Sequence, residues 1–229
     1  MQKGLFIVFE GNNGAGKTTI INELIKKLNL NNDSEFVDIK NNKNIYNWNI
    51  YKFPNRTTTL GKKIDDFLKN KIKLSSKDVE LKFFADNRKE FQDEMEYILN
   101  QGYNILCDRY IYSSMAYTLT DQSINIINNN NIKILSIDQI LSYDRNFIKP
   151  DYIFLIKGDH LYLRNEQNEL YHKNELFNNI LLNNYIISIQ KTSNKFAIIN
   201  NKFGELDNSI HSIIIIINTL LYNKLHKIN

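Results

Sequence analysis

LFIVFEGNNGAGKTTIINELIKKL, residues 5–28, reads in three parts: an apolar run, a glycine-rich turn and an amphipathic repeat. Leu5, Phe6, Ile7, Val8 and Phe9 form a run of strand length without proline. Beyond the turn, Ile20, Ile21, Leu24, Ile25 and Leu28 recur at helical spacing. Between them, Gly11, Gly16, Lys17 and Thr18 occupy every fixed position of G-x-x-x-x-G-K-[ST], and strand-before, helix-after is the context that a phosphate-binding loop requires. Gly11, Gly14 and Gly16 let backbone N–H groups curl inward around an anion, and the helix N-terminus adds its dipole. The segment Gly11, Asn12, Asn13, Gly14, Ala15, Gly16, Lys17, Thr18 and Thr19 is therefore expected to cradle the phosphates of a nucleoside triphosphate. Lys17 would reach the transferring phosphates, and the Thr18 hydroxyl would ligate Mg²⁺.

Working outward, about twenty polar, Asn-rich residues read as an irregular connection before a short strand, Trp48 to Phe53, that Pro54 ends. Leu60, Ile64, Phe67 and Leu68 share a helical face. A long helical pattern runs from Ser75 to Asn100, with Ser76 as its cap and Gly102 marking its end. Tyr103 to Cys107 is a third strand, with Asp108-Arg109-Tyr110 at its C-terminal edge, where doubly wound sheets bind ligands. A helix follows within the SSMAY stretch, and more helix and loop lie near Ile132 to Ser142. Tyr152 to Lys157 is a fourth strand, Gly158 to Lys173 a polar lid with a helix after it, Phe196 to Ile199 a fifth strand, and Ser209 to Leu225 a final helix. Strands alternating with helices, with no internal repeat, predict an α/β fold: one domain over residues 1–229, a parallel sheet with helices on both faces and a short lid at about 158–173.

The 229 residues and the 42% apolar share suit one ordinary core. A net charge of +4 with scattered lysines makes nucleic acid an unexpected partner. The single cysteine, Cys107, offers neither a disulfide nor a zinc-site spacing and reads as a buried, inert thiol. The first strand begins at Leu5, so no signal peptide is expected, and the Ile213 to Ile217 run is too short to cross a membrane. These readings predict a soluble cytoplasmic protein with no membrane partner.

Three further constellations carry chemistry. In Phe53-Pro54-Asn55-Arg56 the chain leaves a strand edge in a fixed direction, and Arg56 could turn its planar fork towards the phosphate loop to hold a phosphate monoester; taken alone, it reads first as an exposed arginine after a turn. Asp108 at a strand end could hold Mg²⁺ through water while Arg109 neutralises phosphate charge. Phe84 and Arg88, four residues apart on one helix, could stack on a base and donate to its carbonyl, or could simply be a half-buried helix face.

FPNRTTTLGK, FFADNRKEF, CDRYIYSSMAY and KPDYIFLI, in this order after this phosphate loop, resemble the thymidylate kinases over roughly residues 3 to 175. The resemblance implies the P-loop kinase fold with a five-stranded parallel sheet, a homodimer, and phosphorylation of dTMP by ATP with Mg²⁺. It implies that Arg56 and Arg109 clamp the dTMP phosphate, and that Phe53 belongs to the same site. Phe84 would stack on thymine, and Arg88 would donate to a thymine carbonyl with Ser113 or Ser114 nearby. Tyr117 would pack against the sugar, and Tyr171 would close over it from the lid. Two positions depart from the family pattern. Asn13 stands where many members carry an acidic residue on the sugar 3′-OH. Gly14 stands where some members carry a loop arginine, so Arg164, in the lid, is assigned the charge on the transferring phosphoryl alongside Lys17 and Arg109.

GNNGAGKTT after a strand ending in Glu also resembles deoxynucleoside kinases, whose neutral acceptor, such as thymidine or deoxycytidine, needs a general base at its 5′-OH rather than a phosphate clamp. A third reading is a P-loop switch that hydrolyses nucleotide slowly without an acceptor. Arg56 in the segment after the second strand favours the monophosphate.

Overall fold

The computed structural model describes residues 2–30, 37–38, 43–44, 48–158, 175–192 and 195–226. Its strands are β1 (Phe6–Glu10), β2 (Val37–Asp38), β3 (Lys43–Asn44), β4 (Trp48–Lys52), β5 (Asn104–Asp108), β6 (Tyr152–Gly158) and β7 (Phe196–Asn201). Its helices are α1 (Lys17–Leu30), α2 (Thr59–Leu68), α3 (Lys77–Lys89), α4 (Gln92–Asn100), α5 (Ile111–Ile127), α6 (Ile137–Ser142), α7 (Glu175–Thr192) and α8 (Leu206–Leu225). Five strands pair side by side in the order β4-β5-β1-β6-β7. Every pairing is parallel, with Phe9 opposite Asp108 on one side and Phe154 on the other.

Strand β1 shows why both faces must be covered. Its side chains alternate between two layers: Phe6 and Val8 join a cluster with residues of α2, α4, α5 and α7, whereas Ile7 and Phe9 join one with α1 and α8. Strands β5 and β6 alternate in the same way, with Ile105, Cys107, Ile153 and Leu155 in the first layer and Leu106, Phe154 and Ile156 in the second. Each fully buried Ile, Leu or Phe contributes about 1.5–3 kcal/mol, so a charge on either face would be destabilising. The isoleucine run near the C-terminus winds round a helix and buries one face of it: Ile213 and Ile217 are fully buried, and Ile215 between them is exposed.

Two expectations are corrected. The single helix predicted from Ser75 to Asn100 is two helices, with a turn at Glu90 and Phe91. Ser76 does cap the first, accepting from the Val79 N–H, and Gly102 with φ +85° does follow the second. At the turn Phe91 N–H donates to the Arg88 carbonyl (3.1 Å), tightening the last turn of α3. The Phe91 ring packs against Tyr51 and Phe53, and Met95 and Leu99 then bury α4 under the sheet. The Asn-rich connection, read as irregular, holds the short antiparallel pair β2–β3. The lid, apart from Gly158, lies outside the described residues.

Candidate active site

The phosphate loop joins the C-terminal end of β1 to α1 at the centre of the sheet, the crevice where open parallel sheets place ligands. Gly11 has φ +137°, and a Cβ there would stand 2.2 Å from the Ile156 carbonyl oxygen, so only glycine lets the loop lie against β6. Asn201, buried at the end of β7, donates from Nδ2 to the Ala15 carbonyl (3.0 Å) and accepts from Ser209 (3.1 Å). On the opposite side, Asn12 Nδ2 donates to Asn178 on α7.

The loop's cation rests on the loop itself. Lys17 Nζ donates to the carbonyls of Gly11 (3.0 Å) and Asn12 (2.7 Å). Burial, reinforced by the charge of Arg109, pushes its ammonium pKa down to about 7. Thr18 Oγ1 donates to Asp108 Oδ2 at 2.6 Å, and Lys52 approaches the same carboxylate oxygen at 3.6 Å. Burial alone would raise Asp108, but Lys17, Arg109 and the Thr18 bond outweigh it and hold the carboxyl below its ordinary range.

Arg109 sits with φ +68°, in the left-handed region that a non-glycine residue adopts only where the surroundings compel it. This turns the chain from β5 into α5 and aims the guanidinium at the loop. Nη1 donates to the Gly11 carbonyl (2.8 Å) and to the Tyr185 hydroxyl (2.9 Å), and Nη2 donates to Asn13 Oδ1. Burial opposes its charge, yet Tyr185, Tyr117, Asp108 and Glu10 around it more than restore it. Glu10, fully buried at the end of β1, accepts from Tyr110 N–H (2.8 Å), Ser113 N–H (3.2 Å) and Ser113 Oγ (2.6 Å). Burial raises its pKa, partly offset by Ser113 and then Arg109. Glu10 thus pins the start of α5 directly behind Arg109.

Beside the loop lies a concave pocket between the Phe53–Arg56 turn, α3 and α5. All the predicted acceptor residues that lie among the described residues line it: Asn13, Phe53, Arg56, Phe84, Arg88, Arg109, Ser113, Ser114 and Tyr117. A second groove runs along Gly14, Gly16, Lys17, Thr18 and Asp108. The two meet at Asn13, Phe53, Pro54, Arg56 and Arg109, which line both. Two guanidinium groups, of Arg56 and Arg109, therefore stand where the two spaces meet. Arg56 reaches this junction from the turn after a cis Phe53–Pro54 bond, while its Nη1 donates to Asp65 at 2.7 Å. On the helix face read alternatively as half-buried, Phe84 is half-buried, while Arg88 is 2% exposed and forms a two-pronged ion pair with Asp144. Cys107 is buried, burial raises its thiol well above the ordinary range, and it donates to the Arg109 carbonyl at 3.0 Å.

Arg164 and Tyr171 lie outside the described residues. Sequence reasoning did not find Asp144, Tyr185, Asn178 or Asn201, which reach the site from segments distant in the chain. Glu10 had a signal, as the acidic end of the first strand, but no partner residue to argue from.

A parallel sheet with a phosphate loop at its centre, opening onto an acceptor cavity with arginines at the junction, defines a P-loop phosphotransferase for a small phosphorylated acceptor. The thymidylate kinase family model matches residues 9–210, and the chain belongs to this family. A thymidylate kinase of Plasmodium falciparum is 35% identical over 177 residues, 76% of this chain and 72% of that protein. One of Schizosaccharomyces pombe is 30% identical over 157 residues, 69% of this chain and 62% of its own length. The solved thymidylate kinase of Candida albicans superposes with a TM-score of 0.76 at 26% identity, over 96% of this chain and 93% of that one. The Ehrlichia chaffeensis structure shares the fold with a TM-score of 0.64 at 22% identity, over 94% of this chain and 99% of that one. Among the described residues no helix is long and apolar enough to cross a membrane.

Proposed function

We propose that this protein transfers the γ-phosphoryl group of ATP to dTMP, giving ADP and dTDP. The observation that carries the reading is the junction, where Arg56 and Arg109 line both the acceptor cavity and the groove of Lys17 and Thr18. A neutral nucleoside would leave the buried Arg109 guanidinium there with neutral hydrogen-bond partners and no incoming anion, so the deoxynucleoside kinase reading is not favoured. A slow hydrolytic switch leaves the cavity itself without a purpose.

In this mechanism ATP lies on residues Gly11 to Thr19, and Lys17 exchanges the carbonyls of Gly11 and Asn12 for phosphate oxygens. The dTMP phosphate, an anion already, attacks the γ-phosphorus in line; a new P–O bond forms as the bond to the β-phosphate oxygen breaks, and no strong base is required. Arg56 and Arg109 neutralise the approaching phosphate and hold it in line, so the rate comes mainly from positioning and charge. Thr18 Oγ1 and the ionised Asp108 carboxylate, 2.6 Å apart, are hard oxygen donors that suit Mg²⁺, Asp108 through water. When bound, Mg²⁺ would neutralise charge on the triphosphate. Arg164 is assigned to the transferring phosphoryl and Tyr171 to closure over the sugar. One domain, a homodimer and a cytoplasmic location belong to the same reading.

The test is ADP formation with ATP and Mg²⁺ against dTMP, dUMP, dGMP, thymidine and deoxycytidine. Strong turnover of dTMP with none of thymidine is the expected result, and the dUMP ratio measures what the cavity gains from the methyl group. Turnover of nucleosides but not monophosphates would overturn the reading.

A further inference from the structure

Arg88 differs from the other two arginines of the acceptor cavity. Arg56 and Arg109 also line the phosphate-loop groove, whereas Arg88 lines the acceptor cavity alone, together with Leu81 and Phe84. It is also held in a two-pronged pair by a carboxylate almost fully out of water, whereas the Arg56–Asp65 pair is partly exposed. Arg88 Nη2 donates to Asp144 Oδ1 (2.7 Å) and Oδ2 (3.0 Å), and Nε donates to Oδ1 (3.1 Å). Both side chains are almost fully buried, and the Phe147 ring lies 5.9 Å from the guanidinium carbon. The turn that supplies Asp144 is itself held. Asp144 N–H donates to the Leu141 carbonyl and Phe147 N–H to the Asp144 carbonyl, while Tyr143 OH donates to Asp78 in the first turn of α3. One short segment thereby grips α3 at both ends.

Two physical consequences follow. A buried guanidinium without a counter-ion would itself attract phosphate, and the cavity would then hold a competing anion site at its base end. The carboxylate cancels that charge. A fork gripped through Nε and Nη2 is also fixed in its plane, leaving Nη1 as the nitrogen not spent on Asp144 and suited to a base carbonyl, which accepts but does not donate. We propose that Asp144 is a positioning residue that makes Arg88 a fixed, charge-compensated hydrogen-bond donor, so that a nucleotide enters the cavity in one direction only, phosphate towards Lys17. This rests on the cavity being the monophosphate site.

The experiment compares D144N, R88M, R88M/D144N and R88M/D144L with the wild type. It measures kcat and KM for dTMP and for ATP, and inhibition by inorganic phosphate against dTMP. D144N is expected to raise the KM for dTMP about tenfold, with kcat changing less, as for a weakened charged hydrogen bond. The KM for ATP should stay near wild type, and phosphate should become a several-fold stronger competitor of dTMP. In the R88M background D144N should add nothing. R88M/D144L, which removes both charges and keeps the interior apolar, should raise the KM for dTMP without strengthening phosphate inhibition. An unchanged dTMP KM in D144N, a further loss when D144N is added to R88M, or stronger phosphate inhibition in R88M/D144L would each overturn the proposal. Failure of the underlying reading is distinct: the wild type itself would then not turn over dTMP.

Discussion

The two ends of the acceptor cavity use the same kind of residue in opposite ways. At the phosphate end, Arg109 at the junction and Lys17 in the adjoining groove spend their donors on neutral oxygens, the Gly11 and Asn12 carbonyls, the Tyr185 hydroxyl and the Asn13 amide, while the more exposed Arg56 also holds Asp65. At the other end, Arg88 spends its donors on the Asp144 carboxylate. Carbonyl and hydroxyl partners satisfy hydrogen bonds while leaving the positive charge in place, so an incoming phosphate displaces them at a gain. A carboxylate partner removes the charge and leaves only direction. What an arginine does in a pocket is thus set as much by what already holds it as by its own chemistry.

The largest expected effect comes from breaking the charged end. Replacing Lys17 with alanine should lower kcat for ATP and dTMP by about 10³-fold or more, the order seen when a charge on the transferring phosphoryl is lost. Near-wild-type turnover of purified K17A would break the contrast, because the loop's cation would then be dispensable. Next in size, Arg109→Met should lower kcat/KM for dTMP by about 10²–10³-fold while leaving the KM for ATP within a few-fold of wild type. If R109M instead weakens ATP and dTMP equally, Arg109 serves the donor groove and the two cavities are not divided as described.

How far the sequence could be read follows from the distance over which each feature is decided. The phosphate loop, its strand and its helix are contiguous, so residues 5–28 sufficed for them. The inner strands β5, β1 and β6 were legible because burial on both faces demands apolar runs, and the half-exposed edge strands β4 and β7 were legible as short β-branched and aromatic stretches between helical patterns. Phe84 and Arg88 could be paired because positions four apart share a helix face. Asp144 lies 56 residues from Arg88, Tyr185 lies 76 from Arg109 and Asn201 lies 186 from Ala15, and no local pattern marks any of them as a partner. The break at Glu90 and Phe91 was also invisible. The apolar spacing continues across it without glycine or proline, and the turn is fixed by the packing of Phe91 on Tyr51 and Phe53.

The smallest effect sharpens the comparison at a single proton. Lys17 is held near pKa 7 because it is buried with Arg109 close by, with carbonyls as its hydrogen-bond partners, and Asp108 and Glu10 offset this in part. Triphosphate oxygens replacing those carbonyls must raise that pKa, since anions favour the charged form. Above pH 7 the free protein lacks the proton that its ATP complex holds, so binding takes one up. Affinity for ATP should then fall as pH rises from about 7, by at most about tenfold per unit. Calorimetry at pH 8 in two buffers of different ionisation enthalpy should give an uptake approaching one proton per ATP, fading towards zero at pH 6 and abolished in K17A. The free protein should respond in the opposite sense. Between the folded value of about 7 and the ordinary 10.5, the unfolded chain holds more protons, so the contribution of Lys17 to stability rises with pH across that window. No uptake at pH 8 would mean that Lys17 enters the complex without changing its charge. Displaceable carbonyl partners would then not be what distinguishes the phosphate end from the base end.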